Sequence, residues 1–97
     1  MIRKDREEKM LRQLRTEDER KAMGRLSYIA ESGGSLITTR DLMDAITALR
    51  VMGKKFEPDY LLEDLEEDGW ITTVDSRPVL NKPIPLNTLG QYVDRAK

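Results

Sequence analysis

After Thr16 the apolar residues fall into helical register. Ala22, Met23, Leu26, Ile29 and Ala30 recur at three- and four-residue intervals and mark one buried face. Thr16 with Glu19 three residues on has the spacing of a capping box, and Gly33-Gly34 close the segment after Ser32, so the pattern predicts a first core helix over 16–32. Ser35-Leu36-Ile37-Thr38 is a short β-prone run and reads as a single strand. Thr38 followed by Asp41 repeats the capping signal. The stripe Leu42, Ala45, Ile46 and Leu49 then gives a second core helix ending near Gly53. Pro58 suits the first turn of a third helix and Gly69 its end, with Leu61, Leu62 and Leu65 facing inward.

Beyond Gly69 the period changes from helical to extended. Trp70-Ile71-Thr72-Thr73-Val74 is rich in β-formers, Asp75-Ser76-Arg77-Pro78 is turn-forming, and Val79 to Lys82 can return as a partner strand. Pro83 and Pro85 should take the chain off the sheet edge, after which Asn87 or Thr88 caps a last short helix carrying Leu89, Tyr92 and Val93. Trp70, Tyr28 and Tyr92 read as core aromatics, and Met10, Met23, Met43 and Met52 as core or dimer filler. Ahead of all this, Ile2 to Arg15 pairs opposite charges four residues apart but has only a thin apolar stripe at Met10, Leu11 and Leu14. That is the pattern of a helix seeking a partner, and residues 1–15 are expected to be a charged dimer arm. Residues 16–97 form one domain, with the hairpin over about 70–84 and the final helix over about 87–96.

Composition narrows the functional classes. With 38% hydrophobic and 36% charged residues in 97 positions, the chain suits one small core. It has no Cys and no His, which excludes disulfides and thiolate metal sites and removes the commonest general base. Acid pairs at helical spacing, Glu63/Glu67 and Asp64/Asp68, are the remaining candidates for a metal, and no Ca²⁺-loop pattern accompanies them. The expectation is a protein that is not an enzyme, without cofactor or metal. No apolar run is long enough for a signal peptide or a membrane span, so a cytoplasmic protein without membrane contact is expected.

The near-neutral total of −1 conceals a polar distribution of charge. Residues 1–25 carry nine bases and six acids, 26–56 four and three, 69–97 four and two, but 57–68 hold seven acids and no base. At about 100° per residue the outward face of that acidic helix is Asp59, Tyr60, Glu63, Asp64 and Glu67.

The order helix, strand, helix, helix, hairpin, helix over 17–96 resembles the winged helix-turn-helix fold, a mainly α, α+β architecture. Leu61-Leu62-Glu63-Asp64-Leu65-Glu66-Glu67-Asp68-Gly69-Trp70-Ile71 looks like the end of a recognition helix passing through Gly into the first wing strand. Leu86-Asn87-Thr88-Leu89-Gly90 is similar to the step that opens the helix after the wing. Overall length and the charged leading segment also resemble small winged-helix proteins of Mu-like prophages. The resemblance implies a dimeric regulator with its third helix in a DNA groove. The charge opposes that placement, because duplex DNA carries one negative charge per roughly 1.7 Å of axis and outward acids would oppose it by about 1 kcal/mol each at close range.

Two readings follow. In the first, the protein is a homodimeric interaction or regulatory module whose acidic third helix meets a basic protein surface. In the second, it binds DNA through Lys54, Lys55, Arg77, Lys82, Arg40, Arg50 and the N-terminal bases while holding the acidic helix away from phosphate.

Overall fold

The computed structural model describes residues 16–97. The expected leading helix and its dimer seam at Met10, Leu11 and Leu14 lie outside the described residues. Those described form a mixed α+β structure of four helices and two small antiparallel sheets. In chain order they are α1 (Glu17–Glu31), β1 (Ser35–Leu36), α2 (Thr39–Val51), α3 (Pro58–Glu67), β2 (Ile71–Val74), β3 (Arg77–Leu80), β4 (Ile84–Pro85) and α4 (Leu86–Arg95).

Both of the first two helices start at reciprocal capping boxes, Thr16 with Glu19 and Thr38 with Asp41, which satisfy backbone N–H groups that a helix start leaves without partners. α1 packs chiefly on α2. Ala22 on α1 and Ala45 and Ala48 on α2 are buried, and side chains this small allow two helix backbones to approach closely. The buried face of α1 is narrower than its periodicity suggests: Ala22 and Ile29 are buried, Met23 and Leu26 half-buried, and Ala30 exposed. A helix with one main neighbour leaves its flanks open. For the same reason Tyr28, 58% exposed, corrects its core assignment, while Met43 and Met52, 41% and 58% exposed, lie outside the core.

α3 has Pro58 in its first turn and no side-chain cap, and it ends before Gly69 at φ 81°. It rests mainly on α4 and β2. Its like-charged i,i+4 pairs Asp59/Glu63, Glu63/Glu67 and Asp64/Asp68 each destabilise the helix by a few tenths of a kcal/mol. Leu61 and Leu65 are fully buried, and each contributes about 1.5–3 kcal/mol, so tertiary burial decides that this segment is helical.

The hairpin is tighter than its composition implies. β2 and β3 pair Ile71 with Leu80 and Val74 with Arg77, which leaves only Asp75 and Ser76 in the turn. Both adopt left-handed backbone, φ 51° and 65°, the two-residue turn whose twist matches that of paired strands. Arg77 and Pro78 therefore belong to the strand, and the return strand ends at Leu80 instead of Lys82. Pro78 is accommodated because every strand here is an edge strand.

The prolines at 83 and 85 do not take the chain away from the sheets either. Ile84 and Pro85 form β4, which pairs with β1 through Leu36/Ile84 and Ser35/Pro85. The N–H of Leu86 then donates to the Gly34 carbonyl at 2.7 Å. This fixes the start of α4 at Leu86, with Pro85 at the N-cap position, in place of a side-chain cap from Asn87 or Thr88. Leu36, Leu42, Leu61, Leu65, Ile71, Ile84 and Leu89 are fully buried in one core, which Ile29 of α1 joins.

Candidate functional site

The outward surface of α3 divides its acids into two groups. Asp59, Glu63 and Glu67 lie on successive turns, all exposed, and none has an ion-pair partner among the described residues. Tyr60 stands beside this ridge with 59% of its surface exposed. The remaining acids of the helix turn to neighbours. The Thr73 hydroxyl of β2 donates to Glu66, and Asp64, half-buried, lies 3.9 Å from Arg95 of α4. Asp68 takes both Arg95, at 3.5 Å, and a short hydrogen bond from the Tyr92 hydroxyl.

That second group is part of a continuous polar chain between α3, β2 and α4. Trp70 donates from its indole N–H to the Tyr92 oxygen at 3.1 Å, and the Arg95 guanidinium lies 4.3 Å over the Tyr92 ring. The Asp68 carboxylate accepting from Tyr92, together with burial, pushes the phenol above its ordinary value of 10.0. Helix C-termini attract cations, yet the last turn of α3 contains none. Arg95 supplies one from another helix. It interrupts the acidic face that looks uninterrupted in one dimension, and it draws Asp64 out of the outward set.

Among the described residues the bases do not form one patch. Arg40, at the start of α2, pairs with Asp44 at 3.7 Å. Arg77 lies in the hairpin, and Lys82 sits 4.3 Å over the Trp70 ring. Arg50, Lys54 and Lys55 do come together. With Lys97 they line an open cleft of about 850 Å³ between the end of α2, the loop to α3 and the end of α4. Half-buried Phe56 contributes to its wall, and Glu57 and Asp94 are its acids. Lys97 pairs with Asp94 at 3.8 Å, whereas Arg50, Lys54 and Lys55 have no ion-pair partner among the described residues. The loop holding Lys54 and Lys55 is tied across the cleft by the Glu57 N–H, which donates to the Ala96 carbonyl at 2.8 Å.

A further charged group is structural. Asp41 is 2% exposed; it accepts from the Arg25 Nε at 2.9 Å and from the N–H groups of Ile37 and Thr38 at 3.1 and 3.2 Å. Burial by itself would raise its pKa, but the backbone donors and Arg25 together hold it below the ordinary value of 3.8. The capping spacing of Thr38 and Asp41 identified the helix start, but nothing in the local pattern signalled that the carboxylate also clamps α1.

Arg95, Lys97 and Phe56 were likewise missed in the sequence, because their roles come from the approach of α4 to α3 and to the end of α2. Among the described residues no group of three or more acids is arranged to hold a metal ion, and no helix is long and apolar enough to cross a membrane. The chain matches no protein-family model, no curated protein and no solved structure.

Proposed function

We propose that this protein is a small winged-helix module whose third helix binds a basic protein surface, and that it acts as an interaction or regulatory component in dimeric form. The winged-helix reading is supported by the order α1–β1–α2–α3–β2–β3 and by the pairing of β1 with the chain just beyond the hairpin. The observation that carries the function is the ridge of Asp59, Glu63 and Glu67. Three carboxylates at successive turns repel one another, and none is neutralised by the described residues, although Asp64, Glu66 and Asp68 on the same helix all find partners. Tyr60 adds an exposed ring of the kind enriched at interfaces. The test uses the full chain as bait against its Glu63→Lys/Glu67→Lys variant, with circular dichroism confirming that both are folded. A basic protein, or a second copy of the chain, is retained by the parent and released by the variant. Equal retention by both overturns the reading.

One observation favours DNA binding as a second reading: Arg50, Lys54 and Lys55 share the basic cleft and form no ion pair among the described residues. In that case anisotropy titration at low salt detects a complex that weakens steeply with added salt and is lost in Lys54→Glu/Lys55→Glu. The acidic ridge beginning four residues after Lys55 weighs against it.

A further inference from the structure

The basic cleft and the acidic ridge are consecutive along one segment of the chain. Lys54 and Lys55 precede α3, Tyr60 lies in its first turns, and Glu63 and Glu67 follow. At about 1.5 Å per residue, Glu63 and Glu67 lie roughly 5 and 10 Å along the helix from Tyr60. Lys55 is five residues before Tyr60, a distance the chain spans in at most about 18 Å. A two-fold axis near Tyr60 reverses this order in a second copy, so that the chain direction running from cleft to ridge in one molecule runs from ridge to cleft in the other. We infer that the cleft of Arg50, Lys54 and Lys55 is a docking site for the acidic α3 ridge of a second copy of this chain, giving a reciprocal two-fold dimer.

This inference rests on the proposed role of the ridge and names its partner. Arg50, Lys54 and Lys55 of the cleft are opposite in sign to the ridge, and a two-fold axis makes every cleft-to-ridge contact twice. Tyr60, exposed in the monomer, meets its own symmetry mate near the centre of the contact, where aromatic side chains carry the most binding energy. Arg95 does not compete for the ridge, since it is held by Asp64, Asp68 and the Tyr92 ring.

Charge exchange tests the arrangement on the full chain. The parent protein sediments as a dimer at low salt and dissociates as salt rises. Lys54→Glu/Lys55→Glu and Glu63→Lys/Glu67→Lys each weaken self-association by at least about tenfold, since each makes cleft and ridge alike in sign. An equimolar mixture of the two variants associates again, because each cleft now meets a ridge of opposite charge. The four changes combined in one chain likewise restore the dimer. Restoration also excludes misfolding as the cause of the single losses. A parent that remains monomeric at low salt overturns the inference, as does a pair of folded variants that fail to associate when mixed. If the parent is monomeric and the Glu63→Lys/Glu67→Lys bait still loses a basic protein, the ridge keeps its role and the cleft is not its partner.

Discussion

Asp41 holds together three parts of the protein with one side chain: the start of α2, the loop before it and, through Arg25, helix α1. Removing its charge leaves two backbone N–H groups and a guanidinium facing a weaker acceptor. Asp41→Asn is expected to lower unfolding free energy by about 1–3 kcal/mol in urea denaturation. Arg25 is about half exposed and can turn to water, so Arg25→Ala should cost less. The folded state holds the Asp41 pKa below that of the unfolded chain, so its stabilising contribution is complete above roughly pH 4 and is lost as the pH falls through the folded value. Acid titration of stability should therefore be steeper in the parent than in Asp41→Asn; parallel curves would remove Asp41 from this role. The Thr38 and Asp41 spacing revealed the cap from the sequence, but not the pairing with Arg25 sixteen residues earlier.

At the scale of elements, local residues mark where each helix begins more reliably than what each strand does. The boxes at Thr16 and Thr38 act within one turn of chain, and so their spacing alone identifies them. The hairpin turn was harder to read because Asp75 and Ser76 are common in several turn types and only the pairing of Val74 with Arg77 selects the two-residue form. That form holds Ser76 at φ 65°, which glycine adopts without steric cost. Ser76→Gly is expected to stabilise the protein by about 0.5–1 kcal/mol, visible as a thermal midpoint a few degrees higher. A lower midpoint would mean that the backbone strain there is negligible. β4 shows the opposite limit: Ile84-Pro85 has no strand signature, and it pairs because β1 lies beside it.

For the molecule as a whole, the arrangement of charge matters more than its total. A net charge of −1 is the balance between an acidic α3 and basic segments on either side of it. Residues 16–97 contain a continuous core of their own, so removal of residues 1–15 should leave the circular dichroism of the domain in place. If the dimer forms through the cleft and the α3 ridge, this truncation also leaves its mass by light scattering unchanged. A fall to the monomer mass would instead place the seam in the leading arm with Met10, Leu11 and Leu14.

The amino-acid sequence alone determined the starts of α1, α2 and α3, the inward leucines of α3 and the sign of its charge. These depend on period, capping and composition within about ten residues. Only the tertiary structure decided which acids of α3 remain unpaired among the described residues and which bases share a cleft. Arg95 reaches Asp64 and Asp68 from thirty-one and twenty-seven positions away, and Lys97 joins Lys54 and Lys55 from the end of another helix. Electrostatic neighbours are set by distance in space, and local periodicity contains no information about which distant helix will supply them.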